Sequence, residues 1–183
     1  MPRLIGQTIV LREYRTEDTQ AIRGWVNDLE TVRFLSSRYW MPQSYADTAD
    51  FVDHAMHAGT NGAFFVIADR ETDAYLGQTD LFSINWRLRS AEFAIVVGSE
   101  AARGRGIGRE AIGILLDYAF GMLGLERVEL EVAQENDRAI RCYERAGFRH
   151  EGVKRHAFMV DGQYSNLVIM AVLAPDWRAA QGK

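Results

Sequence analysis

The stretch VGSEAARGRGIG, residues 97–108, follows the apolar run Ala91 to Val97 and leads directly into a helical pattern. In that pattern, apolar side chains recur at helical spacing from Ala111 to Leu123. Glycines allow a ligand to approach the backbone, and the N–H groups at a helix N-terminus carry partial positive charge. Arg103 and Arg105 add full charges. The stretch therefore predicts a strand, an anion-binding turn and a helix in succession.

Two common phosphate-binding motifs do not fit this turn. A nucleotide-binding Walker loop would end in Gly-Lys-Ser or Gly-Lys-Thr, which is absent here. The dinucleotide-binding fingerprint would need a glycine where Arg109 stands. A flexible strand-to-helix turn with solvated arginines stays open as the alternative.

Other segments also alternate between strand and helix patterns. Thr8 to Arg12 reads as a strand, and Thr16 to Trp25 as a helix with capping oxygens at its start. Ser44 can cap a second helix that ends near Gly59. The runs 63–68, 75–84 and 91–97 predict three antiparallel strands. The run 128–132 predicts a strand and 137–146 a helix, and an Asp161-Gly162 turn joins two final runs, which end near Leu173, in a hairpin. This order predicts a mixed α+β fold.

Length and composition narrow the class of protein. The chain has 183 residues, which predicts one domain over 1–183. A net charge of -4 disfavours nucleic acid as a partner. The single cysteine, Cys142, cannot form an intramolecular disulfide, and no apolar run approaches the roughly 20 residues that cross a bilayer. We expect a cytoplasmic protein without membrane contact.

Two ordered blocks carry a family resemblance. Residues 103–108, RGRGIG, match the pattern Arg/Gln-x-x-Gly-x-Gly/Ala, and residues 132–148 end in Tyr-Glu-Arg-Ala-Gly-Phe. With these blocks the chain resembles the GCN5-related N-acetyltransferases (GNAT). The closing segment 162–170 resembles their ribosomal-protein alanine acetyltransferase-like branch, although many relatives carry Asp in place of Asn166. The second half is also similar to spermidine N-acetyltransferases, through Asn85 and Ala91-Glu92-Phe93.

The resemblance implies a fold and an activity. The expected GNAT fold has a mostly antiparallel central sheet flanked by helices, with a V-shaped cofactor cleft after the Ala91 to Val97 strand. The expected reaction moves an acetyl group from acetyl-CoA directly to a primary amine and needs no metal. The residues implied in cofactor binding are Ile95, Val96, Val97, Arg103, Gly104, Arg105, Gly106, Ile107, Gly108, Asn136 and Tyr143.

Asn136 and Tyr143 are seven positions apart, nearly two helical turns, so they can face one ligand. An amide can bind the pantetheine arm, and a phenol can protonate the thiolate that leaves as coenzyme A. The resemblance therefore makes Tyr143 the candidate acid. The alternative is that Asn136 only caps the helix while Tyr143 packs with Ile140 and Phe148.

Glu92 is the second candidate catalytic residue. It alternates with Phe93, so we expect a carboxylate on a partly buried strand face that can help to deprotonate the amine. A buried ion pair with an arginine is the alternative. His54 and His57 lie three apart but lack a third ligand nearby, so no metal site is expected.

The acceptor side is less defined. Trp25, Tyr39, Trp40 and Trp86 are candidate walls of an acceptor cleft, although aromatic residues more often belong to the core. The expected acceptor is a protein N-terminal amine or a small-molecule amine. A polyamine is only the alternative acceptor. The reason is that the segment 36–40 carries the cation Arg38 where spermidine acetyltransferases have an acidic cluster that suits a polycation. A non-catalytic coenzyme A-binding module and a homodimer also stay open.

Overall fold

A computed structural model describes residues 3–98, 102 and 104–182 of the chain. Eight strands form one sheet in the order β1-β2-β3-β4-β5-β6-β8-β7. The strands are β1 Leu4–Ile5, β2 Ile9–Arg12, β3 Ala63–Asp69, β4 Tyr75–Asn85, β5 Ser90–Val96, β6 Arg127–Ala133, β7 Arg149–Val160 and β8 Gln163–Leu173. The helices are α1 Asp18–Arg23, α2 Leu29–Val32, α3 Tyr45–Met56, α4 Ile107–Asp117, α5 Asp137–Arg145 and α6 Ala174–Ala180.

All neighbouring strands of this sheet pair antiparallel except β5 and β6, which are parallel. The predicted mostly antiparallel sheet and the three central antiparallel strands are therefore confirmed. A parallel pair needs a crossover connection, and here the connection contains α4.

The parallel pairing is short. It runs from Ser90 opposite Arg127 to Glu92 opposite Glu129 and then stops. Beyond that point β5 stays paired with β4 as far as Val96, and β6 stays paired with β8 as far as Ala133. The two strands therefore diverge, and they open the V-shaped cleft that the resemblance implied.

Side-chain caps mark the start of α2, α3 and α5, whereas the cap predicted for the first helix is absent, because Glu17 at the N-cap of α1 makes no side-chain capping bond. Ser44 and Asp47 form a reciprocal capping box at α3, and the Asn136 side chain caps α5. The α-helical part of α4 ends at Asp117, and Tyr118–Met122 continues as a π-helix instead of the predicted α-helix. Among the described residues, no helix is both long and apolar enough to cross a membrane.

The sheet carries a hydrophobic core on each face. Phe65, Phe93 and Leu115 belong to the core on the α4 face. Val66 and Val52 belong to the core on the opposite face, below α1 and α3. Because side chains alternate along a strand, successive residues of β5 point toward different cores. This alternation decides which predicted site residues can meet.

Candidate active site

The cofactor turn leads from the open end of β5 into α4. Gly104 and Gly106 have φ angles of 77° and 80°, in the left-handed region that favours glycine. Gly106 is the N-cap of α4, and a Cβ atom built on it meets no atom of the described residues within 4 Å. The backbone is therefore open to a ligand at the positive end of the helix dipole. This arrangement fits the pyrophosphate of acetyl-CoA.

The charged and apolar side chains of the turn differ in their exposure to solvent. Arg105 is exposed, while Ile107 is buried in the core on the α4 face. Gly108 would have only ordinary contacts for a Cβ atom, with Val97 and Cys142. The predicted contribution of Arg103 lies outside the described residues.

The end of β5 presents one unpaired strand edge to the cleft. Ile95 and Val96 pair with Thr79 and Gln78 of β4 on one side. On the other side, no described strand pairs with them after β6 diverges. Val97 continues this edge into the turn. Backbone N–H and C=O groups along such an edge can pair with the amides of a pantetheine arm.

Asn136 has the capping role that the sequence left open. Its Oδ1 accepts a hydrogen bond of 3.2 Å from the backbone N–H of Ala139. The side chain is half-buried, and this cap uses its oxygen but not its amide N–H groups. The cap is therefore compatible with a second role in cofactor binding.

Tyr143 lies on the α4 face of β5. Its ring makes an edge contact with Phe93, with centroids 6.0 Å apart, and also packs against Phe148 at 5.9 Å. Burial raises the pKa of the phenol well above its usual value of about 10. The hydroxyl makes no hydrogen bond to the described residues. The ring has the packing role of the alternative, while the hydroxyl keeps its proton.

Glu92 does not lie on a partly buried surface, so that expectation is wrong. Its side chain is exposed. Alternation along β5 fixes only the face on which Glu92 lies, and its neighbours across the sheet are Glu129 and Phe82. No described arginine forms an ion pair with Glu92, so the alternative of a buried ion pair is also absent.

An open pocket of about 520 Å³ lies between the α2 region and the turn that joins β7 to β8. An ion pair between Arg33 and Asp161 bridges these two regions. Trp40 packs edge-on against Phe158, with centroids 5.7 Å apart. The pocket is lined by Leu29, Glu30, Val32, Arg33, Tyr39, Trp40, Met159, Asp161 and Gly162.

Only Tyr39 and Trp40 of the four predicted aromatic residues line this pocket. Trp25 is buried below Tyr39, with ring centroids 6.1 Å apart. Trp86 instead donates a hydrogen bond of 3.2 Å to the carbonyl of Thr60. Trp25 and Trp86 therefore do not line this pocket, and Trp25 belongs to the core, which was the alternative for these aromatic residues.

Asp80 is a buried acid that the sequence analysis did not single out. It lies on β4 opposite Ala94, and its buried carboxyl group is close to the Tyr14 hydroxyl. Burial raises the pKa of Asp80 to about 8, although nearby Phe65 and Tyr14 oppose the shift. The sequence does contain a clue to this buried acid, because Asp80 is a carboxylate inside a predicted strand, between Thr79 and Leu81.

Other reactive side chains have local roles. His54 packs edge-on against Phe64, and His57 Nδ1 lies 2.8 Å from the carbonyl of Asp53. Within the described ranges, no group of three or more His, Cys, Asp or Glu side chains is arranged to hold a metal. Burial raises the pKa of Cys142, which disfavours a thiolate nucleophile.

Comparison with known proteins identifies the family. The family described as acetyltransferase (GNAT) domain matches residues 8–149. The chain is a GNAT acetyltransferase. It is 30% identical to spermidine N(1)-acetyltransferase of Escherichia coli K12 over 177 residues, which cover 95% of this chain and 90% of the relative. It is 25% identical to human alpha/beta-tubulin-N-acetyltransferase 9 over 158 residues, which cover 79% and 74%.

A solved structure of a relative supports the same family. The chain superposes on spermidine N-acetyltransferase from Vibrio cholerae, in complex with CoA and spermine, with a TM-score of 0.82 and 27% identity. The match covers 93% of this chain and 98% of the other. The GNAT fold, the N-acetyltransferase class and acetyl-CoA as acetyl donor are thereby confirmed. The likeness also extends into the first half, where the sequence motifs were sparse.

Replacement of Gly106 by Val should weaken acetyl-CoA binding by about tenfold or more. The added side chain would stand in the open space before α4 and would strain a left-handed φ. Calorimetric titration with coenzyme A measures the effect. Gly59→Val is the matched control, because Gly59 also has a positive φ and nothing within 4 Å. Equal affinity of a folded Gly106→Val protein would contradict the assigned site.

Replacement of Asp80 by Asn should remove a pH dependence of stability. The folded pKa of about 8 exceeds the usual value, so the folded state binds an additional proton between about pH 4 and 8. Wild-type stability therefore falls as pH rises through this range, by at most about 1.4 kcal/mol per pH unit. Asn stays neutral, so its advantage over wild type should grow with pH.

Urea unfolding at pH 5 and pH 8 measures this difference in the free energy of unfolding. The matched control is Asp50→Asn, which changes an exposed carboxylate on α3. If wild type and Asp80→Asn show parallel pH curves, Asp80 is not buried in its protonated form.

Proposed function

We propose that this enzyme transfers the acetyl group of acetyl-CoA directly to a primary amine that carries further positive charge, of the polyamine class. The observation that carries the proposal is the divergence of β5 from β6 beside the cofactor turn. This cleft is bordered by the unpaired edge of β5 and by the glycine turn. The Tyr143 ring packs against Phe93 on the same strand, β5. A donor and an acceptor can thus meet in one ternary complex.

On the donor side, we assign the pantetheine arm to the edge formed by residues 95–97. Gly104, Arg105 and Gly106 would hold the pyrophosphate at the N-terminus of α4. The support is the left-handed backbone of the two glycines and the exposed charge of Arg105. The free amide N–H groups of Asn136 are assigned to the same arm.

Acetyl-CoA supplies an acyl carbon that the amine nitrogen attacks, so that a C–N bond forms and the C–S bond breaks. Tyr143 gives its proton to the departing sulfur, and burial keeps that proton in place until then. Glu92 accepts the proton that the amine loses, either directly or through water, at the exposed side of the same strand. Holding both reactants in one cleft supplies much of the rate.

Replacement of Tyr143 by Phe should lower turnover by about 10² to 10⁴-fold. Phe keeps the ring contacts with Phe93 and Phe148 but removes the proton donor. Coenzyme A affinity should change little, because the lost interaction develops only as the C–S bond breaks. Turnover is followed by release of the free thiol.

The control for this variant is Tyr118→Phe, which removes a phenol outside the cleft on the π-helix. If Tyr143→Phe keeps wild-type turnover while chemistry limits the rate, another group protonates the sulfur.

We assign the acceptor to the pocket between the α2 region and the β7–β8 turn, and the charges around this acceptor pocket favour a cation. Glu30 and Asp161 line it together with one arginine, Arg33. Arg38, whose charge argued against a polyamine in the sequence, does not line the pocket, since its guanidinium lies over the Phe51 ring at 5.8 Å. Similarity to spermidine acetyltransferases over 95% of the chain supports the same acceptor class.

A protein N-terminal amine is the second candidate. The named human relative acts on a protein, as its name states, and the pocket is open to one side. An open pocket can admit the end of a polypeptide as well as a linear amine.

Thiol release with a panel of amines should therefore rank spermidine and spermine above butylamine by about tenfold or more in kcat/KM. Butylamine is the matched control because it has one amine and a single charge. A peptide with a free N-terminal amine is the other arm. If the peptide is the best acceptor, the second candidate is correct. If no amine releases thiol while coenzyme A binds, the proposed reaction fails.

We also propose that residues 1–183 form one domain, because a single sheet extends from β1 to β7. A cytoplasmic location, no nucleic acid or membrane partner, and a homodimer belong to the same proposal. Light scattering of the purified protein decides the oligomeric state.

A further inference from the structure

The backbone turn after β5 rests directly on a buried indole. A Cβ atom built on Gly98 would lie 2.4 Å from Cδ1 and 2.5 Å from Nε1 of Trp25. Side chains in proteins do not approach so closely, so only glycine fits here without displacing the ring. Gly98 follows Val97, the last residue of the assigned pantetheine edge. Trp25 therefore supports the point where the chain leaves β5 toward the cofactor turn.

The indole is itself held from several sides. Only 4% of Trp25 is exposed, and its Nε1 donates a hydrogen bond of 3.2 Å to the hydroxyl of Tyr75. That hydroxyl donates in turn to Gln78 Oε1 at 3.0 Å. Gln78 pairs with Val96 across the sheet, so the chain of hydrogen bonds returns to the end of β5. The support is therefore anchored to the strand whose exit it positions.

A second close approach fixes the same strand end. A Cβ atom on Gly77 would lie 2.2 Å from the carbonyl oxygen of Val96 and 3.0 Å from Cα of Val97. β4 thus contacts the backbone of β5 at Val96 and Val97, and Trp25 contacts the next residue, Gly98. Because Gly77 and Gly98 have no side chains, β4 and Trp25 can both contact the end of β5 directly.

We propose that Trp25 is a positioning residue for acetyl-CoA, acting through the backbone at Gly98. By fixing where the chain leaves β5, the indole aligns the edge at residues 95–97 with the turn at Gly104 and Gly106, so that one ligand can meet both. This inference rests on the proposed donor site. Because Trp25 also contacts Tyr39, which lines the acceptor pocket, it connects the two substrate sides of the enzyme.

The first variant is Trp25→Phe, which removes the indole N–H and reduces the ring. We expect coenzyme A to bind about tenfold more weakly by calorimetry, and the KM for acetyl-CoA to rise more than kcat falls. The matched control is Trp177→Phe. Trp177 is a buried indole on α6 that donates to Asp117 Oδ1 at 3.1 Å, so the same chemical change is made outside the donor site. This control should lower the melting temperature without weakening coenzyme A binding.

The second variant is Gly98→Ala, which leaves Trp25 intact and forces the backbone away from it. It should weaken coenzyme A binding to a similar degree, while Gly113→Ala should not. Gly113 lies on α4, and a Cβ atom there meets nothing within 4 Å. Gly98→Ala decides the matter if Trp25→Phe does not fold.

Unchanged coenzyme A affinity in Gly98→Ala, or in a folded Trp25→Phe, would overturn the inference while leaving the donor site intact. Failure of the wild-type enzyme to bind coenzyme A would instead overturn the proposed function. A loss of affinity in the Trp177→Phe and Gly113→Ala controls equal to that of the test variants would show that general destabilisation, not positioning, causes the effect.

Discussion

The three-residue parallel pairing between β5 and β6 is the constraint on which the active site depends. A parallel pair requires a crossover, and the crossover here begins with the glycine turn and α4. The connection that makes the strands parallel therefore also brings a helix N-terminus to the mouth of the cleft. After Glu92, among the described strands, β5 pairs only with β4 and β6 only with β8, so backbone groups along the open edge are available to water or a ligand.

Strand alternation then separates the chemical groups. Phe93 points to the α4 face and packs against Tyr143, while Glu92 points to the opposite face and to water. Burial holds the proton on the phenol, whereas the carboxylate is exposed to solvent. The proposed acid and the proposed base therefore belong to opposite faces of one sheet, and both could reach one substrate only at the opening, which begins directly after Glu92. The divergence of β5 and β6 provides that opening.

Sequence was sufficient where the deciding interactions are local. The left-handed glycines, the capping box at Ser44 and the cap at Asn136 each depend on neighbouring residues. The exposure of Glu92 could not be read from alternation within β5, because burial depends on what the fold packs over that face and not on the strand alone. α2 has only four residues, too few for a periodic signal. The contact of Trp25 with Gly98 likewise exists only in the folded chain.

The same distinction applies to the charges that bear on the choice of acceptor. Arg38 counts against a cationic substrate only if its guanidinium faces that substrate, and the fold instead places it over Phe51. The arginine that does face the pocket, Arg33, is paired with Asp161, and both side chains are about half exposed or more, at 47% and 65%. Exposed pairs contribute only about 0–1 kcal/mol. An incoming ammonium group can therefore replace Arg33 at Asp161 at little cost, and the pocket can accept a cation although it contains one.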